Sequence, residues 1–208
     1  QRPNILINKY IEEKEQKITG EKFSLFKKIL RLRQTAIHPE LVGKNASSTK
    51  FSQMIADIQE LPEKKILVFS AFTKVLRLLK RDLETKSCYP LYLDGKMPIK
   101  ARIQAMDQFE EQAEGAVFLI SLKAAGVGIN LPSADYVFFA DPWWNSAAEE
   151  QAIARAHRLG RKRSLFVKRY LCLNTIEEKM ERLKEEKKQL TSLMTPTFKL
   201  EDYYRLLD

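Results

Sequence analysis

Five short runs of apolar residues recur in the chain, and most of them are followed by a segment with helical spacing of apolar residues. The runs cover residues 66–70, 89–93, 116–120, 136–140 and 165–171. Each has the length of a strand, and continuous apolar runs are typical of strands that are covered on both faces. Strands that alternate with helices of this length predict an α/β fold, in which helices cover both faces of a mostly parallel sheet.

Helical segments without strands flank this alternating region on both sides. An amphipathic helix is predicted over residues 21–37, and a second helix begins after the cap residue Ser48 and ends at Pro62. On the other side, Thr175 is positioned to cap a long charged helix that reaches about Leu193. We therefore expect a helical lead-in, a sheet domain, and a C-terminal helix with a tail. These three parts cover residues 1–62, 63–174 and 175–208.

The composition limits the class of protein. The chain has 208 residues, of which 44% are hydrophobic, and this is enough for one packed core. No apolar run approaches the roughly 18 residues that a membrane span needs, so no membrane partner is expected. The two cysteines, Cys88 and Cys172, are interpreted as thiols of a reducing compartment, and no metal site is predicted. We expect an intracellular protein of the cytoplasm or nucleoid in a prokaryote, or of the nucleus in a eukaryote.

Positive charge is both abundant and concentrated. The formal net charge is +9, and residues 151–170 contain several arginines and lysines but no acidic residue. Many soluble proteins are basic, so the total charge alone is weak support for a polyanionic partner. The concentration beside the end of one helix favours such a partner more strongly.

The helix predicted over residues 147–159 carries the most specific pattern. Ser146 and Glu149 have the spacing of a capping box, and Gly160 provides a stop signal. Gln151, Arg155 and Arg158 fall at positions i, i+4 and i+7, so they project from one face. Two arginines three residues apart repel each other unless an anion lies between them, and their planar guanidinium groups suit a phosphate. The alternative is a solvated basic helix face.

The loops that follow the strands form the second group of candidates. In parallel sheets, ligands bind at the carboxyl ends of the strands. The loops at residues 70–73, 94–97, 121–130 and 141–146 are therefore the predicted functional edge.

Six short motifs appear along the chain in one order. They are Leu-Arg-Gln-Thr-Ala-Ile-His-Pro at 32–39, Ile-Leu-Val-Phe-Ser-Ala-Phe at 66–72, Tyr-Leu-Asp-Gly at 92–95 with Arg102, Ser-Leu-Lys-Ala-Ala-Gly-Val-Gly-Ile-Asn-Leu at 121–131, Asp-Pro-Trp-Trp-Asn at 141–145 and Gln-Ala-Ile-Ala-Arg-Ala-His-Arg-Leu-Gly at 151–160. Together they resemble the motifs of the Swi/Snf-type chromatin-remodelling ATPases of helicase superfamily two. The resemblance implies the second of two RecA-like lobes, a three-layer fold, here with helical extensions at both ends.

The resemblance also implies roles for single residues. Arg155 and Arg158 correspond to arginine fingers offered to ATP bound by the other lobe, and Gln151 positions water or a neighbouring finger. Gly126, Gly128 and Asn130 belong to the motif that couples the lobes, although the two glycines have an ordinary tight turn as their alternative. The chain lacks a phosphate loop and the magnesium-binding acids of the first lobe, so ATP and Mg²⁺ are expected to be held mainly there. The 208 residues alone are expected to be inactive.

The DNA-binding residues are likewise implied by the family. They are Ser70, Gly95, Lys96, Ser121, Lys123 and Trp144. Ser121 and Lys123 have contacts with the lobe interface as their alternative, and Trp144 has structural packing. Lys96 replaces a serine or threonine and Arg161 a glutamine of the usual pattern, and both add positive charge. Ala125 replaces a glycine of the coupling motif, and Ser146 stands where a proline is common.

The predicted function is a motor lobe that translocates on double-stranded DNA and remodels protein–DNA complexes. Its expected partners are double-stranded DNA, its own N-terminal ATPase lobe and a DNA-bound protein. Two alternatives stay open: a lobe of an RNA helicase of the same superfamily, and a catalytically idle module that binds nucleic acid.

Overall fold

Five parallel strands form a sheet at the centre of this computed structural model, which describes residues 20, 22–125, 129–156, 164–190 and 200–207. The strands are β1 Lys65–Ser70, β2 Leu91–Leu93, β3 Ala116–Ser121, β4 Tyr136–Phe139 and β5 Phe166–Arg169. Their order across the sheet is β2-β3-β1-β4-β5, and every neighbouring pair is parallel. The five predicted strands and their parallel arrangement are confirmed.

Helices alternate with the strands and also extend the fold at both ends. They are α1 at residues 22–37, α2 Thr49–Gln59, α3 Thr73–Glu84, α4 Ile99–Glu111, α5 Leu122–Ala125, α6 Ser146–Ala156, α7 Ile176–Leu190 and α8 Leu200–Arg205. A 3-10 helix, Pro39–Val42, separates α1 from α2.

The two faces of the sheet support two apolar clusters. On one face, residues of α2 and α3 such as Phe51 and Leu76 pack with Val68 of β1. On the other face, Phe109 of α4 and Ala152 of α6 pack with residues of β1, β3 and β4. Every residue of β1 is buried, as expected for the central strand of a sheet that is covered on both sides.

The extensions at the two ends of the fold pack against each other. Leu25 and Ile29 of α1 form a third cluster with Met180 of α7 and with Leu206, which directly follows α8. Leu206 is only 2% exposed, so the segment that contains α8 and Leu206 docks on the body of the protein. The sequence alone did not decide this point.

The helix caps agree with the sequence at two of three positions. The Ser48 hydroxyl accepts a hydrogen bond from the Phe51 N–H, and the Thr175 hydroxyl accepts one from Glu177, as predicted. The prediction of a capping box formed by Ser146 and Glu149 is wrong. The Asn145 side chain accepts a hydrogen bond from the Ala147 N–H instead. The Glu149 carboxylate accepts one from the N–H of Trp143, which precedes the helix.

Candidate nucleic-acid interface

A cleft of about 340 Å³ opens at the carboxyl ends of β1, β2 and β3. Three exposed lysines line it, and each follows a different strand: Lys74 in the first turn of α3, Lys96 after β2 and Lys123 in α5. Asp94 is the single acidic side chain of this lining. Three cations against one anion make the cleft a site for a negatively charged ligand.

The N-terminus of α3 adds to this positive field. Its cap residue, Phe72, makes no hydrogen bond to the helix with its side chain, and Thr73 and Lys74 line the cleft. The N-terminal end of α3 therefore borders the cleft, and no side chain of its cap residue occupies the N–H groups of the first turn. Such groups bind phosphates well, because they combine free donors with the positive end of the helix dipole.

Asp94 shapes the turn that presents Lys96. Its carboxylate accepts hydrogen bonds from the Lys96 N–H and from the Tyr92 hydroxyl, both over 2.8 Å. Burial acts to raise the pKa of Asp94, but these hydrogen bonds outweigh it and place the pKa below its ordinary value. The ionised side chain holds the turn and also lies 3.7 Å from the Arg77 guanidinium of α3, while the exposed Gly95 and Lys96 line the cleft.

Asp141 fixes the loop at the end of β1. The Ser70 hydroxyl donates to one carboxylate oxygen, and the Ala71 N–H lies 3.2–3.3 Å from both oxygens. Burial raises the pKa of Asp141, while the neighbouring Arg33 and Ser70 favour its charged form. The Ser70 side chain is fully buried, so the structure places this predicted DNA contact inside the sheet edge and not in the cleft.

The coupling segment joins the cleft to the predicted arginine helix. Ser121, which lines the cleft, accepts the Ala124 N–H over 3.3 Å, and Arg102 donates to the Ala124 carbonyl over 3.2 Å. The short helix α5 packs directly against α6. Gly126 and Gly128 lie outside the described residues, and the Asn130 side chain is exposed.

One face of α6 is buried and the other is exposed. Glu149, Ala152 and Ala156 face the core, whereas Gln151 and Arg155 are exposed together on the opposite side. Among the described residues, none forms an ion pair or side-chain hydrogen bond with Arg155. Its guanidinium is therefore available to an external anion. Arg158 lies outside the described residues.

Trp144 is not brought to the cleft. Its half-buried ring contacts the ring of Tyr203 at 5.1 Å and the Arg33 guanidinium at 5.3 Å. Its neighbour Trp143 packs against the larger core. The predicted role of Trp144 as an aromatic that faces DNA stays a prediction.

Sequence reasoning missed three residues that organise the site. Lys74 lies two residues after the motif at 66–72, and the rule that ligands bind at strand ends is enough to find it. Asp141 belongs to the motif at residues 141–145, but its hydrogen bonds with Ser70 and Ala71 join residues about 70 positions apart in sequence. Glu149 accepts hydrogen bonds from the Trp143 N–H, Arg169 and Lys184 at 3.0–3.2 Å, and thereby anchors α6 to β5 and α7.

Comparisons with known families agree with this architecture. Residues 49–160 match the model of the helicase conserved C-terminal domain, which is more than half of the chain. The DNA repair protein RAD5B of Arabidopsis thaliana is 40% identical over 69% of this chain, and the DNA repair protein RAD5 of Gibberella zeae is 42% identical over 71%. A further Arabidopsis thaliana protein, named as SWI/SNF-related, is 43% identical over 70%. The chain spans only 12% to 17% of these relatives' lengths.

Solved structures show the same fold. The SWI2/SNF2 ATPase core domain of Sulfolobus solfataricus superposes with a TM-score of 0.70 at 22% identity, over 89% of this chain and 38% of that one. The same core in complex with double-stranded DNA gives 0.66 at 27% identity, over 81% and 37%. The C-terminal part of the Fun30 ATPase domain gives 0.65 at 30% identity, over 76% and 51%. The predicted RecA-like architecture is confirmed.

Proposed function

This chain belongs to the helicase conserved C-terminal domain family, in its Swi/Snf-type group, and we propose that it is the motor lobe that grips duplex DNA while it completes an ATP site on a preceding lobe. ATP hydrolysis in that site drives movement along the DNA and the remodelling of proteins bound to it.

The cleft with its three lysines carries this proposal. Lys74, Lys96 and Lys123 come from three strand ends and surround the N-terminus of a 12-residue helix. Positive side chains around a helix N-terminus suit the phosphate backbone, which carries no sequence information. Binding is therefore largely independent of sequence, as a translocating motor requires.

The exposed face of α6 supplies the catalytic part. Arg155 projects without a partner among the described residues, and Arg158 follows three residues later in the sequence. Negative charge spreads over the phosphoryl oxygens during transfer, and a positioned arginine stabilises it, typically by about 10³–10⁵ in rate. Gln151, on the same face, positions the attacking water or one of the arginines. The chain has no phosphate loop, so the preceding lobe holds ATP and Mg²⁺.

Double-stranded DNA is the partner that we propose for this chain. A relative of known structure has been solved in complex with double-stranded DNA, and the curated relatives include DNA repair proteins. The protein then works where genomic DNA is, in the nucleus of a eukaryote or the nucleoid of a prokaryote. None of the helices that the structure describes is long and apolar enough to cross a membrane.

ATP turnover by an enzyme that contains both lobes tests the catalytic assignment. Arg155→Ala and Arg158→Ala are each expected to lower DNA-stimulated turnover by about 10³ or more. Arg182→Ala, which removes an exposed arginine of α7, is the matched control and leaves turnover unchanged. A rate within twofold of the wild type for both arginine variants contradicts the finger assignment.

Stimulation by different nucleic acids tests the partner. Duplex DNA is expected to stimulate turnover more than duplex or single-stranded RNA of the same sequence. Equal or greater stimulation by RNA contradicts the DNA assignment and favours an RNA helicase. The 208-residue chain alone is expected to show no measurable turnover with either nucleic acid.

A further inference from the structure

Arg33 of α1 is buried at the point where two loops of the functional edge meet. Its side chain is only 5% exposed. One terminal nitrogen, Nη2, donates to the Pro142 carbonyl over 2.8 Å and lies 3.3 Å from the carboxylate of Asp141. A single guanidinium from the N-terminal extension therefore contacts the loop that follows β4 through both a backbone and a side-chain acceptor.

The same guanidinium contacts two aromatic rings. Its central carbon is 4.8 Å from the ring centroid of Phe72 and 5.3 Å from that of Trp144. Phe72 belongs to the loop after β1 and lines the basic cleft, whereas Trp144 belongs to the loop after β4. The cation–π contacts of Arg33 thus join two loops that are about 70 residues apart in sequence.

Arg33 is buried with one hydrogen-bond donor unsatisfied within the described part of the chain, which a purely stabilising role does not explain. The Nε atom of Arg33 is buried and has no hydrogen-bond partner among the described residues. Burial also lowers the pKa of Arg33, while Asp141 and Glu177 favour its charged form. An unsatisfied buried donor is unfavourable and is rare in folded proteins, so it calls for an explanation.

We propose that Arg33 is a positioning residue that couples the occupancy of the basic cleft to the placement of the arginine helix. This inference rests on the proposed function. On the cleft side, Arg33 contacts Phe72 directly and reaches Ala71 through Asp141. On the other side, it holds the Pro142 carbonyl, and the next residue, Trp143, donates its N–H to Glu149 of α6.

The geometry explains why arginine occupies this position. In this proposal, a phosphate that enters the cleft shifts the loop containing Phe72 and Thr73, and the guanidinium over the Phe72 ring transmits that shift to the loop before α6. Lysine retains the charge and pairs with Asp141, but it has no planar group that contacts both rings. A lysine variant therefore keeps the fold and loses most of the coupling.

ATP turnover in the two-lobe enzyme, with and without duplex DNA, tests this inference. Arg33→Lys is expected to lower the DNA-stimulated maximum rate by about fivefold or more. The basal rate without DNA and the DNA concentration for half-maximal stimulation are expected to stay within about threefold of the wild type. Arg31→Met, which removes an exposed arginine of the same helix, is the control and keeps full stimulation.

Three outcomes overturn the inference. Full stimulation in Arg33→Lys shows that the stacked guanidinium is not needed. An equal loss of basal and stimulated rates shows a merely structural role. A large rise in the half-maximal DNA concentration at an unchanged maximum rate shows a role in binding alone. If the wild-type enzyme itself is not stimulated by DNA, the proposed function fails, which is distinct from the failure of the coupling role.

Tryptophan fluorescence of the 208-residue chain gives an independent readout. In a Trp143→Phe background, duplex DNA is expected to change the emission of Trp144, because that ring contacts the Arg33 guanidinium. The same DNA is expected to leave the emission unchanged once Arg33→Lys is added. An identical DNA-induced change with arginine and with lysine contradicts the proposal.

Discussion

The backbone N–H of Leu131 donates a hydrogen bond to the carbonyl of Arg155 over 3.1 Å. This hydrogen bond ties the last described turn of α6 to the motif at residues 121–131, whose first residue, Ser121, lines the basic cleft. The short helix α5 of the same motif also packs against α6. The cleft and the arginine helix are therefore neighbouring parts of one unit.

The anchor of α6 can be tested through Glu149. Glu149→Gln removes the charge that faces Arg169 and Lys184, and Lys184 is itself buried. The free energy of unfolding is expected to fall by about 2–3 kcal/mol in a urea titration, because a buried cation loses a partner. Glu150→Gln, at the exposed neighbouring position, is the control and is expected to stay within about 0.5 kcal/mol. Equal effects of the two substitutions contradict this account.

The buried ion pair of Lys50 and Glu177 gives a second prediction. The lysine nitrogen lies 2.5–2.7 Å from both carboxylate oxygens and also donates to the Ala140 carbonyl. Lys50→Met leaves the Glu177 charge buried without its partner and is expected to lower the free energy of unfolding by about 3–5 kcal/mol. The control Arg182→Met breaks an exposed pair on α7 and costs about 0.5 kcal/mol or less. A cost below about 1 kcal/mol for Lys50→Met refutes the prediction.

The lowered pKa of the Asp57 side chain predicts that the stability of the fold depends on pH. Burial acts to raise its pKa, but hydrogen bonds from Lys168, Tyr170 and Gln53 outweigh burial and lower the pKa below its ordinary value. A lowered folded-state pKa means that the ionised group adds stability above the unfolded pKa of about 3.9, and that this stability is lost as the pH falls through the folded pKa.

Asp57→Asn is therefore expected to cost about 1.5–3 kcal/mol at pH 7, and the difference from the wild type is expected to shrink towards pH 3. Denaturant titrations at several pH values measure it. Asp107→Asn, at an exposed position of α4, serves as the control with little effect at any pH. A difference for Asp57→Asn that is constant between pH 7 and pH 3 contradicts the assignment.

Gly115 is predicted to tolerate no side chain. A Cβ atom placed there lies 1.9 Å from the Pro62 carbonyl oxygen, which is backbone and unable to rotate away. Gly115→Ala is expected to destabilise the fold by about 3 kcal/mol or more, as measured by thermal unfolding. Gly20→Ala is the control, since no atom of the described part of the chain lies within 4 Å of the added carbon. Wild-type stability in Gly115→Ala shows that the turn at Pro62 is placed differently.

The sequence predicts the sheet well because its signal is local. Runs such as residues 66–70 and 116–120 are continuous and apolar, and strands that are covered on both faces require this pattern. The same rule that places ligands at strand ends brings Lys96 and Lys123 to one cleft.

The remaining features depend on contacts between residues that are far apart in sequence. Nothing near Ser70 shows that its hydroxyl is bound to Asp141, or that Arg33 reaches the loop after β4. The capping box failed for the same reason. Ser146 and Glu149 satisfy the local pattern, but Arg169 and Lys184 draw the Glu149 carboxylate elsewhere.

The salt dependence of duplex-DNA binding by this chain tests the central claim most directly. Neutralised phosphates release counterions, with a slope of about −0.9 per phosphate in a plot of log affinity against log salt concentration. Three lysines in the cleft predict a slope of about −3, which Lys123→Gln reduces in magnitude by about 1 and Lys100→Gln, on an exposed turn of α4, leaves unchanged. An affinity that does not change with salt, or a slope that is the same in all three proteins, contradicts the assignment of this cleft to the phosphate backbone.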